Sequence, residues 1–313
     1  MSQAIKEVTA FAPATVANLG PGFDVLGLAL HAPGDTVTAR LTHASGVKIT
    51  KVVGDGGRLP LDAARNSAGI AAHHTLLKAG MPEVGVELTV VKAMPLGSGL
   101  GSSAASAAAA AFAVNALVGG PLRRRDLIGP CVEAEAAVSG RHADNVAPAL
   151  LGGLILVRSL DPLDVVRLPV PEGLTVVVVT PAFELPTREA RAALPREVPL
   201  ASMVQMSANL AAFVSACHAG DLALLARSVH DPIVTPVRAK LIPGGEAVME
   251  AAQAAGALAS SISGAGPSIF ALCRSERSAH EVAEAMTRAF AKAGLEASSV
   301  VSPADCPGAR PVS

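Results

Sequence analysis

The sequence predicts a two-domain chain of mixed strands and helices, and three observations carry that reading. Its 313 residues exceed what one typical hydrophobic core organises, and with half of them hydrophobic and 16% charged they can bury two. Strand-like apolar runs such as TVVVVT at 175–180 are interspersed with helix-like ones such as the amphipathic stretch at 278–293. Finally, PLGSGLGSSAAS at 95–106 leads from a strand through a glycine-rich loop into a helix.

That loop is the most informative stretch. Gly97, Gly99 and Gly101 free the backbone for positive φ and for close approach to a ligand. Ser102 and Ser103 follow, and then AASAAAAAFAVNAL, which is strongly helix-forming. The first N–H groups of a helix lack intrahelical partners and its dipole is positive there, so the junction suits an anion, most naturally a di- or triphosphate. A Walker A loop would need a Lys before the hydroxyls, and none lies between Pro95 and Ser106. The GxGxG spacing also departs from the dinucleotide fingerprint, and VELTVVKAM upstream supplies only a strand. A tight turn before a capped helix would explain a few such residues, but not the whole run.

Composition excludes several classes. Lys and Arg total 25 against 26 acidic residues, so no basic field draws nucleic acid or anionic lipid, and the triplet at 123–125 reads as a solvated run. Aromatics are 2%, with no Trp or Tyr, which argues against base-stacking platforms. The mean hydropathy of +0.45 raises the question of a membrane. However, the longest apolar run found, 104–118, is mostly Ala and falls short of a span of about 20 residues, so a buried helix is expected. The start, MSQAIKEVTAF, has no apolar signal core, which points to the cytoplasm. Cys131, Cys217, Cys273 and Cys306 are scattered without CxxC spacing, as expected of free thiols in a reducing compartment.

Taken in order, VTAFAPATVANLGPGFDVLGLAL at 8–30 reads as a strand, a tight loop, then a second strand or a helix start. Within it Asn18 and Asp24 are conspicuous polar residues, for which turn and cap roles also stand open. Residues 35–51 alternate as an antiparallel strand pair around Gly46. A helix follows at 66–79, whose adjacent His73 and His74 cannot share a face and so are expected to be partly exposed. Residues 86–92 form the strand that enters the glycine loop. A helix over 127–138 is expected to start after Pro130, and only one of Glu133 and Glu135 can face a site. In HADN, an extended chain would put His142 and Asp144 on one side. The alternating stretch at 152–168, with Pro162, is expected to cross between domains. Beyond the strand at 175–180, Thr187, Arg188 and Arg191 sit at a helix start, helices cover 203–219 and 221–228, and Arg238 lies in a Pro-framed loop. Gly264 and Gly266 form a turn into a strand ending near Cys273, and after the helix at 278–293 and a last strand the tail PADCPGARPVS reads as disordered.

PLGSGLGSSAAS resembles the phosphate-binding motif of the GHMP kinases. APATVANLGPGFDVLGLAL, HADNVAP, TREAR, the Arg238 element and SSISGAGPSIFALC resemble segments of the homoserine kinases within that superfamily. The resemblance implies an α+β fold, with a ribosomal protein S5 domain 2-like domain over 1–165 and a ferredoxin-like domain over 166–313, disordered near 303–313. It implies ATP-dependent phosphorylation of the side-chain hydroxyl of L-homoserine to O-phospho-L-homoserine, in threonine biosynthesis, with Mg²⁺ and as a homodimer.

By match, Pro95, Leu96, Gly97, Ser98, Gly99, Leu100, Gly101, Ser102, Ser103 and Ala104 would hold the phosphates, with Asn66 beside the adenine. Ser103 and Glu135 would bind Mg²⁺. Asn18, Asp24, His142, Asp144, Arg191 and Arg238 would recognise the amino acid, Asp24 at the ammonium and the arginines at the carboxylate, which a guanidinium fork can bond twice. Asn145 stands where other GHMP kinases carry an Asp. An amide accepts no proton usefully near neutral pH, so Asn145 is expected to orient the hydroxyl while the phosphate takes the proton. A kinase for mevalonate or a sugar alcohol and a catalytically silent nucleotide-binding regulator are the competing readings. The carboxylate-and-ammonium set argues against the first, and intact Ser103 and Glu135 against the second.

Overall fold

The computed structural model describes residues 6–312. Residues 1–5, on which part of the argument against a secretory address rests, lie outside the described residues, as does Ser313.

The chain opens with β1 (Glu7–Ala17) and β2 (Leu26–Thr42), antiparallel with a register shift between Pro13 and Thr15. Next come β3 (Gly46–Val53), α1 (Ser67–Lys78) and β4 (Gly85–Val91). The expected pairing across Gly46 does not form. Instead β4 inserts between the two strands, antiparallel to β2 and parallel to β3. The reason is the helix: β3 and β4 are joined by a crossover through α1, which a parallel pair requires, and strand alternation alone cannot name the partner. His73 is exposed and His74 half-buried, as expected.

The Ala-rich helix α2 (Ser102–Leu117) is buried on nearly every side, and its small side chains let it seat closely against β1, β2 and α1. Helix α3 (Ile128–Val138) begins two residues before Pro130 rather than after it. Proline is tolerated in a first turn because the N–H it lacks would have no partner there. After α4 (Val146–Leu151), β5 (Leu154–Leu160) and β6 (Leu163–Leu168) form a hairpin that joins the first sheet through β2. Residues 152–168 are therefore no interdomain crossing. A division at 165/166 falls inside β6, because the alternation there serves the first sheet.

The second sheet is built on β7 (Thr175–Pro181). After it come α5 (Thr187–Ala192), α6 (Leu200–Ala219), α7 (Leu222–Ser228), α8 (Thr235–Ala239), α9 (Gly245–Ala254), β8 (Ala259–Ile262), β9 (Ile269–Cys273), α10 (Glu276–Lys292) and β10 (Ala297–Pro303). The order β10-β7-β9-β8 is antiparallel throughout. Every residue of β7 is buried because both of its faces are covered. Val177 and Val179 pack with Val248, Met286 and Phe290 of α9 and α10, whereas Val176 and Val178 join the core shared with the first sheet. Arg238 lies on the short helix α8 rather than in a loop.

The tail is ordered, contrary to its composition. Strand β11 (Arg310–Pro311) pairs with the free edge of β1, Ala309 N donates to Ala149 O at 2.7 Å, and Arg310 lies 4.3 Å over the Phe11 ring. Ala304, Cys306 and Ala309 are buried, so tertiary contacts hold a segment that looks loop-like locally. Helix α6, which carries no Asp, Glu, Lys or Arg, is the one described helix long and apolar enough to cross a membrane by length and composition. Its Phe213, Ala216 and Cys217 are buried in the fold, while Leu200 (72% exposed) and Val204 (57%) face outward.

Candidate active site

The glycine loop is fastened from below. Ser263 Oγ donates to Gly99 O at 2.8 Å and Ser268 Oγ to Ser98 O at 2.6 Å, which fixes the loop carbonyls on the 263–268 turn. Gly99 has φ of +79°, and a Cβ there would sit 2.6 Å from Ser263 O. Gly101, at φ +67°, is the N-cap of α2 and offers no side chain to its first N–H groups, so these remain available to an anion. Ser102 Oγ, buried beside them, has no hydrogen-bond partner.

A buried ion pair that sequence reasoning missed anchors the loop. Lys92 Nζ bonds Asp35, Ser102 O (2.7 Å) and Ser106 Oγ (2.7 Å), with all three ammonium donors satisfied. Burial pushes the Lys92 ammonium below its ordinary range, against the pull of Asp35. Asp35 shares β2 with Arg40, and Lys92 directly follows β4, which carries Glu87, so neither charge stands out in the sequence.

Of the two glutamates of α3, Glu135 faces the cleft and Glu133 pairs with Arg141 at the surface. Glu135 Oε2 accepts from Ser139 Oγ at 2.8 Å, and Glu135 Oε1 is buried without a partner. An orphaned carboxylate oxygen with Ser103 in the same cleft fits a hard divalent cation such as Mg²⁺, which prefers oxygen donors. His142 Nδ1 lies 3.0 Å from Asp144 Oδ1, out of line for a hydrogen bond, and Ser139 Oγ lies 3.3 Å from His142 Nε2. Burial alone would lower the imidazole, but Asp144, with Glu135 and Asp24, outweighs it and holds the ring above its ordinary value.

Across the cleft, Asn18 and Asp24 both adopt positive φ, at 72° and 59°. Asn and Asp are the non-glycine residues that enter this region most readily, because a short polar side chain can bond the local backbone. Asn18 Oδ1 accepts from Asp24 N, and its Nδ2 donates to Gly264 O. Arg191 grips Asp24 with two hydrogen bonds, and Arg238 Nη1 donates to Gly264 O at 2.6 Å. An unpaired Nε donor remains on each arginine. The Phe23 ring, also missed, stands 5.4 Å from one guanidinium and 5.3 Å from the other. Burial, with the like charge of Arg191, lowers Arg238 to about 10.

One cleft of about 390 Å³ lies between the two sheets. It brings together Asn18, Asp24, Asn66, Leu96, Gly97, Ser98, Gly99, Gly101, Ser102, Ser103, Glu135, His142, Asp144, Asn145, Arg191 and Arg238. Three expected contacts stand outside it. Leu100 and Ala104 are buried beneath the loop, where their apolar side chains pack, and Pro95 lines a separate groove with Arg58 and Phe183. Asn66 is on the wall, but both ends of its amide serve the fold, capping α1 at Ala68 N and donating to Pro60 O. Glu184, another wall residue not anticipated, bonds Arg58 at 2.7 Å.

A family model described as the GHMP kinases N terminal domain matches residues 66–153, and the GHMP kinases C terminal model matches 213–292. A homoserine kinase of Arabidopsis thaliana is 48% identical over 310 residues, covering 97% of this chain and 84% of the plant protein. One from Chloroherpeton thalassium is 44% identical over 298 residues, covering 92% and 93%. The crystal structure of homoserine kinase from Cytophaga hutchinsonii superposes with a TM-score of 0.96 at 44% identity, covering 100% of this chain and 99% of that one. Galactokinase of Lactococcus lactis, complexed with galactose, shares the fold alone, with a TM-score of 0.73 at 16% identity over 99% of this chain and 96% of that one. With its α+β architecture and both domain models matched, the chain belongs to the homoserine kinase family of the GHMP kinases.

Proposed function

We propose that the chain is an ATP:L-homoserine O-phosphotransferase, moving the γ-phosphoryl group of ATP to the side-chain hydroxyl of L-homoserine in threonine biosynthesis. The observation that carries this is one cleft holding both a helix N-terminus suited to phosphates and a charge set suited to an amino-acid zwitterion. The α2 terminus and glycine loop bind the triphosphate. Asp24 and Asn18 take the ammonium, and Arg191 and Arg238 the carboxylate, with His142 and Asp144 closing the same pocket. Glu135 and Ser103 hold Mg²⁺, which when bound neutralises phosphate charge. Transfer then needs positioning more than covalent chemistry, so no general base is required of the chain. Asn145 orients the hydroxyl, and the proton leaves with the phosphate.

Two further features belong to this reading. A second copy covers the uncharged outer face of α6, giving a homodimer with twice the 31.3 kDa of one chain in sedimentation. Four buried free thiols fit a reducing cytoplasm. The test is coupled ADP release with ATP and Mg²⁺, offering L-homoserine beside mevalonate, galactose, L-serine and L-threonine. Turnover confined to homoserine supports the proposal. Preference for another alcohol overturns the substrate, and silence on all of them favours a regulator.

A further inference from the structure

Thr15 lies outside the cleft and has no part in the roles assigned above. It is fully buried on β1, at the register shift, and its N–H donates to Leu100 O of the glycine loop at 3.0 Å. Its hydroxyl donates to Asn145 Oδ1 at 2.8 Å. Asn145 is on the cleft wall, and Thr15 is behind it. The carbonyl end of the amide is thus turned away from the cleft, and no group of the described residues hydrogen-bonds the NH₂ end. Gly101 walls this bond in. A Cβ at position 101 would lie 2.2 Å from Thr15 Oγ1 and 2.7 Å from Asn145 Oδ1, so no side chain there is compatible with it.

We propose that Thr15 is a positioning residue for phosphoryl transfer: its hydroxyl occupies Asn145 Oδ1, so the amide can offer the substrate hydroxyl only N–H donors. An amide flips easily because its two ends are nearly the same size, and only their hydrogen bonds tell them apart. Held by Thr15, Asn145 donates to the attacking oxygen, directing its lone pair while its proton stays free to leave toward the phosphate. Released, the same amide turns its carbonyl to the hydroxyl and competes for that proton. Because Thr15 also bonds Leu100 through its backbone, the β1 residue that sets the amide also fixes its distance from the phosphate loop.

This inference rests on the phosphoryl-transfer reading, and a double-mutant cycle separates the two. Wild-type turnover on homoserine tests the function itself. Given that turnover, T15V should lower kcat by about tenfold or more while both KM values stay within about twofold. T15S, which restores the hydroxyl, should recover kcat to within about threefold of wild type. In an N145A background, itself impaired, T15V should change kcat by less than about twofold, because Thr15 acts only through the amide. Equal losses in both backgrounds, or a T15V enzyme with normal kcat, overturn the proposal. Where valine compromises folding, T15A removes the same hydroxyl and reads the same cycle, with thermal unfolding as the check on fold.

Discussion

Arg191 binds Asp24 through both of its terminal nitrogens, at 2.9 and 2.8 Å, so the two residues proposed to hold opposite ends of the substrate also bond each other. The pair is about one-third exposed on each side, open enough to exchange partners. A zwitterion can separate it without leaving either charge bare, since its ammonium replaces the guanidinium and its carboxylate replaces Asp24. A ligand with only one charge would open the pair and leave one member unpaired, which costs about 1–3 kcal/mol. The expected result is that homoserine lactone and 4-hydroxybutyrate bind at least about thirtyfold more weakly than homoserine, roughly 2 kcal/mol. Asp24→Asn should raise the homoserine KM by a similar factor and leave the ATP KM unchanged. Comparable affinity for a singly charged analogue, read by competition, would remove the exchange.

Phe23 spaces the two guanidiniums. With a centroid distance of 5.4 Å to Arg191 and 5.3 Å to Arg238, its ring offsets part of the repulsion between like charges converging on one carboxylate. Each such contact contributes about 0.5–1 kcal/mol. Phe23→Leu, which keeps the apolar bulk, should therefore raise the homoserine KM roughly five- to thirtyfold with kcat little changed. A fall in kcat at constant KM would place Phe23 in a different role.

His142 gives the site a pH signature. Its ring is held above the ordinary value, since Asp144, Glu135 and Asp24 outweigh the effect of burial. Protonated His142 thus binds its proton more tightly folded than unfolded. The stability it contributes is fully present below the unfolded pKa of about 6.5 and is lost as pH rises through the folded value. The melting-temperature gap between wild type and His142→Gln should be widest near pH 5.5 and should narrow above neutrality. A gap that widens with pH would mean the ring is buried neutral.

The parts legible in the sequence were those with a local signature. Glycines followed by alanines mark a loop entering a buried helix, and the spacing of Glu133 and Glu135 restricts which one faces inward. What escaped was fixed by partners far along the chain. The Lys92–Asp35 pair spans 57 positions and the Thr15–Asn145 bond 130, and neither leaves a periodic trace. The same holds for β4 entering between β2 and β3, and for the tail adding β11 to β1. An unpaired strand edge exists only after the sheet does, so a composition that looks disordered alone can be ordered by it.

Glu135 combines a catalytic proposal with a stability cost. One carboxylate oxygen is satisfied by Ser139, and the other is buried without a partner. A buried charge lacking a partner is unfavourable, and a neutral amide of the same shape carries less of that penalty. Glu135→Gln should therefore leave the ligand-free protein as stable as wild type or more stable, by up to about 1 kcal/mol. The same change removes the negative charge that would face the metal. Turnover should then fall by two orders of magnitude or more, and ATP should raise the melting temperature equally with and without Mg²⁺. The two readouts move in opposite directions only if the orphaned oxygen is kept for a cation. If Glu135→Gln instead lowers the melting temperature of the ligand-free protein and leaves the Mg²⁺ dependence intact, Glu135 is a structural partner of Ser139, and the metal site must be sought on other residues of the cleft.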